Sequence, residues 1–552
     1  MTPLFTGDSR RKVLTLLTMC FALFMAMLDN TVVNVALPTI SRELGAGVSG
    51  LQWTVDGYVL AFATLLLTGG IVGDRWGRKR MFMSGLAIFT LASLLSGLSQ
   101  STGQLIAARA LQGIGAAVLM PGTLSILTVT FPATERAKAI GIWAGVSGLA
   151  LALGPTAGGL LVERVGWEAI FFLNVPIGLV ALFIASRIVK ESKVSEARHL
   201  DLGGLLLGTT GLFSLTYALI EANQRGWGDS LIISALVAGL GFIGALLVWE
   251  SRSSRAMMPL QFFRIPAFSA GNAVALSLSL GMFGTFFFFS LYMQIVRGYS
   301  PLGTGVRILP LTGMMFFIAP QAGRFAQRHG SRWPMTIGPI LAGTGLFIVS
   351  RSGIDTPYAL MAPFLSVMGI GMGMTMAPMT AAVMNSVGPE RAGLGSAMTN
   401  TSREVGGLLG IALLGTLLTT QLRESLSSAI GGIGLEVSRH AAIVASGGHL
   451  RLDPASLQGL PPQQVAAVQH AFAESFINGF RLAGAVAAAF VVFAGIVANR
   501  FIPSGAPQHD GETRAPVRAR KPKQAPARPR SRTNGRKPTS GKPAARKATT
   551  TR

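Results

Sequence analysis

Asp29 and Arg109 are ionisable residues within stretches of sequence otherwise suited to hydrocarbon. A charge at the centre of a membrane helix costs about 2.5–3.5 kcal/mol on insertion scales, so such residues face a bundle interior and mark function by default. Asp29 lies in Leu28-Asp29-Asn30-Thr31-Val32-Val33-Asn34-Val35-Ala36-Leu37-Pro38, nine residues before Pro38. That is ~13 Å from the helix end at 1.5 Å per residue. Arg109 stands five residues past Gln104 in the fourth apolar stretch, ~8 Å below the same surface. An arginine side chain spans the difference, so a carboxylate–guanidinium pair is allowed. In low dielectric such a pair can act as a proton switch, because burial favours the neutral acid and the guanidinium favours the carboxylate. A fixed structural ion pair is the alternative.

Further candidates differ in chemistry. Arg403-Glu404 opens the apolar stretch Val405–Thr420, and adjacent residues do not share a helix face, so each needs its own partner. Either one lines a central cavity or sits in a structural contact. Leu153-Gly154-Pro155-Thr156-Ala157-Gly158-Gly159 offers small residues against which another helix packs closely, and Pro155 bends its own helix. Met368, Met372, Met374, Met376 and Met379, with Phe286–Phe289, suit an adaptable apolar wall, though packing core explains them too. Glu221 ends the seventh stretch and reads as interfacial. No phosphate loop is expected: Gly541-Lys542 precedes Pro543 and lacks the upstream glycine. No metal-ligand spacing or Ser/His/Asp set appears, so neither cofactor nor enzymatic activity is expected, and uphill transport would draw on an ion gradient.

These residues must be positioned by membrane helices. The chain has 552 residues, 50% hydrophobic and 13% charged, with mean hydropathy +0.51. Soluble proteins carry about 25% charged residues, so a polytopic membrane protein is expected. Apolar segments of about twenty residues, each able to cross a ~30 Å core, lie near 13–36, 49–72, 81–99, 104–129, 138–162, 168–187, 202–221, 231–249, 268–293, 304–323, 334–350, 358–384, 395–420 and 479–501. The first is too long for a signal peptide and lacks a cleavage site. Cys20 is the sole cysteine, which leaves no disulfide within one chain.

A charge cluster framed by glycines, Gly69-Gly70-Ile71-Val72-Gly73-Asp74-Arg75-Trp76-Gly77-Arg78-Lys79-Arg80, separates the second and third segments, and an altered copy recurs at Gly323–Arg332. Gly70 and Gly323 are 253 residues apart, and Glu135-Arg136-Ala137 returns 255 residues later as Glu390-Arg391-Ala392. Two concordant offsets predict two homologous six-helix halves in parallel orientation, with the segments near 202–221 and 231–249 inserted between them. Lys and Arg gather in alternate connections, which places both termini in the cytoplasm and the long connection 421–478 outside. Within it, Pro461–Ala473 suits a short amphipathic helix. The expected domains are a cytoplasmic N-terminus 1–12, a first bundle 13–190, a linker with two inserted helices 191–255, a second bundle 256–502 and a disordered basic tail 503–552. That tail holds fourteen Lys/Arg against Asp510 and Glu512, half of the net charge of +24. It suits anionic lipid or plain solvation. Nucleic acid is not expected, because no aromatic residue is interleaved to stack on bases.

Taken together, these motifs resemble the major facilitator superfamily, and within it the fourteen-helix drug:proton antiporter branch of multidrug efflux transporters. Asp74 with Arg75-Trp76-Gly77-Arg78-Lys79-Arg80 is similar to the superfamily's signature loop. Leu105–Ala116, with Arg109, Gln112, Gly113 and Gly115, is similar to the helix-4 motif linked to proton coupling. Gly148, Gly154, Pro155, Gly158 and Gly159 match the exporter motif. Leu28–Pro38 resembles the branch's helix-1 motif, and Phe171–Gly178 adds a block in helix 6. The resemblance implies an all-α fold of two six-helix bundles plus an inserted pair, working by alternating access, with Asp29 and Arg109 coupling protons. It also implies that Asp74, Arg75, Gly77, Arg78 and Glu135 form a cytoplasmic latch. Gln327 replaces the aspartate in the second copy, so only the first latch is fully charged. Glu404 stands where relatives are expected to carry Gln, and suits a second proton site or recognition of cationic compounds, with Asp56 a lesser cation candidate.

The expected function is proton-driven export of small amphiphilic compounds, antibiotics included, from a monomer in the cytoplasmic membrane. A proton-coupled uptake symporter on the same fold is the first rival, against which the helix-5 glycines argue. A membrane sensor or scaffold acting through the basic tail is the second.

Overall fold

The computed structural model describes residues 9–193, 201–253, 258, 260–387, 392–433, 436, 440–444, 452 and 454–504, and the regular elements among them are all helical. In order they are α1 (Ser9–Leu44), α2 (Val48–Trp76), α3 (Arg78–Gly97), α4 (Thr102–Thr130), α5 (Ala133–Arg164), α6 (Ala169–Phe172) and α7 (Asn174–Ile188). Then come α8 (Leu202–Arg225), α9 (Ser230–Arg252), a 3-10 turn Leu260–Arg264, α10 (Pro266–Leu291) with a π-turn Tyr292–Val296, α11 (Pro301–His329), α12 (Arg332–Ser350), α13 (Tyr358–Val387), α14 (Ala392–Gly431), a single helical turn Pro454–Leu457 and α15 (Pro462–Phe501). Among the described residues, twelve spans are long and apolar enough to cross a membrane, with α6 and α7 joined as one, and α2, bent by 53°, makes thirteen. α5 has 32 residues, enough for a fourteenth crossing at 1.5 Å per residue.

Two boundaries differ from expectation. The connection 421–478 is shorter, because α14 runs to Gly431 and α15 already starts at Pro462. The segment Pro461–Ala473 is therefore no separate amphipathic helix: from Pro462 on it forms the first turns of α15, whose Ala/Gln-rich start continues the same backbone into the apolar span. At the other end, α1 begins at Ser9, so Arg10, Arg11 and Lys12 are helical. Residues 505–552, the bulk of the basic tail, lie outside the described residues, as do Arg198, Arg255, Glu390 and Arg391.

The duplication is visible in how helices meet. A Cβ on Gly85 of α3 would stand 2.8 Å from the Gly115 carbonyl of α4, and one on Gly338 of α12 would stand 2.6 Å from the Gly371 carbonyl of α13. Glycine is required at both crossings for backbones to approach so closely. Gly77 and Gly330 end α2 and α11 with φ of 115° and 90°, again 253 residues apart.

The inserted pair sits over a seam. Glu221 of α8 accepts hydrogen bonds from Ser49 Oγ (2.8 Å) and Trp53 Nε1 (3.0 Å) of α2, and Thr416 of α14 donates to the Leu219 carbonyl. Glu221 is thus a docking residue rather than a bare interfacial charge. α9 turns Val237, Leu240 and Val248 outward, as a surface in hydrocarbon requires.

The first six spans (α1–α7) and the last six (α10–α15) touch at the end opposite the Arg10–Lys12 and Asp74–Arg80 clusters, called here the far end. There Gln52 Nε2 donates to the Ile411 carbonyl (2.9 Å), Gln294 Nε2 to the Val35 carbonyl (2.9 Å) and the Leu302 amide to Glu163 (3.2 Å). Thr156 Oγ1 of α5 also donates to the Gly305 carbonyl of α11 at 3.3 Å.

Candidate functional site

α1 carries Asp29 into the first six spans, where it is 1% exposed. Arg109 of α4, equally buried, reaches its Oδ2 through Nη1 at 2.5 Å. Depth matching along two helices anticipates this contact. The remaining donors come from elsewhere: Gln112 Nε2 reaches Asp29 Oδ1 at 2.9 Å, and Asn174 Nδ2, from the start of α7, reaches it at 3.3 Å. Both amides also donate to Ser93 Oγ of α3, at 2.9 and 3.3 Å. Arg109 is held in turn by Gln112 Oε1 (2.6 Å), by the Thr54 carbonyl (3.2 Å) and by the Tyr58 ring, 4.4 Å from its guanidinium carbon. A carboxylate buried this far from water persists only with such partners. The carboxylate takes its donors from α4 and α7, and those donors are held in turn by α2 and α3.

The sequence reading names Gln112 and Asn174 as parts of motifs but misses their pairing with Asp29, and it misses Ser93 altogether. A serine among the apolar residues of α3 carries no signal of its own; polar positions at matching depth on neighbouring spans would have been the clue.

On the adjoining face of α1, Asn30, Thr31 and Asn34 line a cavity of about 720 Å³ together with Pro155, Arg403 and Glu404. It lies between the two groups of six spans. Glu404 is 6% exposed, and its Oε2 has no hydrogen-bond partner. A buried acceptor left open costs about 1–3 kcal/mol. Arg403 is half-buried at the same cavity.

Asp56, expected with this cavity, is not among its lining residues. It is fully buried in α2 with both carboxyl oxygens unpartnered. Gln52, one turn earlier on the same face, meets Ile411, so this face of α2 is closed against α14.

The glycines of α5 fit it between two helices at once. A Cβ on Gly154 or Gly158 would run into Thr31 or Val32 of α1, and one on Gly159 would stand 2.5 Å from the Pro301 carbonyl of α11. Pro155 faces Gly305 of α11. Gly148 lies in α5; its surroundings are outside the described set. The motif is therefore part of the far-end seal.

At the opposite end, Arg78 pairs with Asp74 at 2.8 Å. Glu135 pairs with Lys12 at 2.8 Å, a partner that the expected grouping of Glu135 with Asp74 and Arg78 omits. Arg75 is exposed in the last turn of α2. Gly77 turns the chain at φ 115°, and a Cβ there would stand 2.7 Å from the Glu191 carboxylate. Glu191 accepts the amides of Lys79 (3.1 Å) and Arg80 (3.2 Å), so a carboxylate from beyond α7 caps α3 and favours its positive dipole end.

Residues 19–411 match the sequence profile of the Major Facilitator Superfamily. The tetracenomycin C resistance and export protein of Streptomyces glaucescens is 35% identical over 487 residues, which cover 88% of this chain and 90% of that protein. The multidrug resistance protein Stp of Mycobacterium tuberculosis (strain CDC 1551 / Oshkosh) is 35% identical over 504 residues, covering 90% and 93%. A solved bacterial homologue of the human lysosomal transporter Spinster, inward-facing and unoccupied, superposes with TM-score 0.63 at 17% identity, covering 90% of this chain and 100% of that one. That likeness concerns the fold alone.

Proposed function

The chain belongs to the Major Facilitator Superfamily and is a multi-pass membrane protein, and from that premise we propose that it exports drugs, antibiotics or other small amphiphilic compounds across the cytoplasmic membrane in exchange for protons. One observation carries the reading: the caged carboxylate of Asp29 and the cavity wall of Asn30, Thr31 and Asn34 belong to the same helix, back to back.

With the basic end in the cytoplasm, as the positive-inside bias favours, both termini are cytoplasmic and the far-end seal is external. The central cavity then draws compounds from the cytoplasmic side. In the outward-open arrangement a proton from the acidic side neutralises Asp29 and removes the negative partner of Arg109, leaving the guanidinium to Gln112 and the Thr54 carbonyl, which it already contacts. α1 shifts relative to α4 and α7, and its cavity face moves with it. Outward opening requires α5 to part from α11 at Gly159–Pro301 and Gln52 to leave Ile411. The Asp74–Arg78 pair, with Arg75, Gly77 and the Glu135–Lys12 pair, holds the cytoplasmic ends of the first six spans in their inward-open arrangement until that step. The gradient supplies the energy by loading Asp29 from the acidic side and unloading it on the other.

The test is direction. In proteoliposomes containing the full chain, an acid-inside gradient drives ethidium inward under antiport and expels it under symport. Accumulation supports the export reading; expulsion overturns it in favour of uptake.

A further inference from the structure

α8 is held to both groups of six spans at once. One oxygen of the Glu221 carboxylate takes hydrogen bonds from Ser49 Oγ (2.8 Å) and Trp53 Nε1 (3.0 Å) of α2, and the Leu219 carbonyl takes one from Thr416 Oγ1 of α14. Beside these contacts α2 meets α14 directly. Gln52 Nε2 donates to the Ile411 carbonyl, and Gly415 leaves no room for a Cβ against the Gln52 amide. α2, α8 and α14 therefore share one junction at the far end.

Opening of the far end parts α14 from α2, where Gln52 leaves Ile411. α8 cannot keep both attachments through that step, because Leu219 and Glu221 are only two residues apart, or ~3 Å along one rigid helix. The attachments are unequal. Toward α2, two donors share a carboxylate oxygen, and hydrogen bonds to charged acceptors are the stronger kind. Trp53 also packs on Phe213 and Tyr217 of α8, with ring centroids 5.8 and 6.5 Å away, which adds aromatic contact on the same side. Toward α14 there is a neutral hydroxyl–carbonyl bond, and the Thr416 hydroxyl already reaches the Ala412 carbonyl of its own helix at 2.9 Å. Release from α14 thus leaves Thr416 an acceptor. Release from α2 would take the Glu221 acceptor from Trp53 and from Ser49, which is buried. α9 goes where α8 goes: a Cβ on Gly239 would stand 2.7 Å from Leu215, and one on Gly211 would stand 2.9 Å from Ile243.

We propose that the inserted pair is a strap over the α2–α14 seam that travels with the first six spans. Glu221 is its fixed anchor, the Thr416–Leu219 contact is its release point, and on this side the far end opens between α8 and α14. Glu221 is a positioning residue: it belongs neither to the Asp29 cage nor to the lining of the central cavity. The proposal rests on the far-end opening in the export reading and is independent of the direction of transport.

The test ties α8 to one neighbour at a time in the full-length protein, in a Cys20→Ser background, with a short bis-methanethiosulfonate that reductant removes. Ser49→Cys with Glu221→Cys ties α8 to α2, and Leu219→Cys with Thr416→Cys ties it to α14. Ethidium exchange in proteoliposomes is counted in either direction, so uptake in place of export leaves the test intact. The α2 tie should leave exchange within about twofold of the Cys20→Ser protein, and the α14 tie should cut it at least about tenfold until reduced, because only the second blocks an opening step. Trp53→Cys with Tyr217→Cys supplies a second α2 tie if the first pair does not fold. Spin labels on Glu43→Cys, Trp227→Cys and Ser428→Cys, taken in pairs with and without Gly159→Leu, read the same movement without transport. Gly159→Leu should lengthen the distance between positions 227 and 428 and leave that between 43 and 227 unchanged. Exchange that survives the α14 tie or is lost with the α2 tie overturns the strap, as does any other pattern of distances. If the unaltered protein moves ethidium in neither direction, the export reading falls and the distances alone decide the strap.

Discussion

Asp29 and Asn30 are consecutive in α1 and face different compartments: the Asp29 carboxylate is sealed against Arg109 at 2.5 Å, and Asn30 lines the central cavity. At 3.6 residues per turn, neighbouring positions diverge by about 100° around the helix. On the proposed reading a single helix carries the proton site on one side and the substrate wall on the other. No relay between them is needed, because one rigid element belongs to both.

The ion pair gives the first prediction. Arg109→Leu strands a carboxylate at a site 1% exposed, and breaking a buried pair costs about 3–5 kcal/mol. The single variant should lose much of its thermal stability, and Asp29→Asn combined with Arg109→Leu should recover most of it. Transport should be absent in both. Thermal unfolding in detergent, paired with ethidium exchange, separates the two effects; recovery of transport in the double variant would contradict a coupling role.

The far-end seal gives the second. Gly159→Leu forces a side chain into the Pro301 backbone, where even a Cβ would lie 2.5 Å from the carbonyl oxygen. Overpacking costs about 1–3 kcal/mol, enough to shift a two-state gate by about fivefold or more. A cysteine at Gln294, in a Cys20→Ser background, should become correspondingly more reactive toward a membrane-impermeant maleimide added from outside. Unchanged labelling would show that this contact does not hold the gate.

Glu404 gives the third. Hydrogen bonds to charged groups are worth about 1.5–3 kcal/mol, so Glu404→Gln should weaken export of a monovalent cation by about tenfold or more and leave a neutral compound within about twofold. Resistance measured in an efflux-deficient host reads both. Equal losses for the two compounds would make Glu404 a coupling residue rather than a recognition residue.

The helices and the Asp29–Arg109 contact were legible because both follow from one dimension. Hydrocarbon thickness fixes span length, and distance from a helix end fixes depth. What stayed hidden depends on rotation and on which spans are neighbours. Ser93 and Asn174 lie at the right depth but reveal nothing until α3 and α7 are placed beside α1. Lys12 becomes the partner of Glu135 only because α1 starts at Ser9, earlier than its apolar run. Asp56, read as a cation candidate, is buried in α2 and absent from the cavity lining. The start of α15 escaped because a polar Ala/Gln run looks like a loop helix until its backbone is seen to continue into the membrane.

The central claim is that Asp29 couples the proton gradient to movement of the compound. Proteoliposomes loaded at acidic internal pH should accumulate ethidium with the unaltered protein, and Asp29→Asn should reduce gradient-driven accumulation by at least about a hundredfold, as loss of the proton-carrying group requires. Binding of ethidium to the same variant in nanodiscs should persist, because the cavity wall is intact. Gradient-driven accumulation by Asp29→Asn at the unaltered rate would contradict the account.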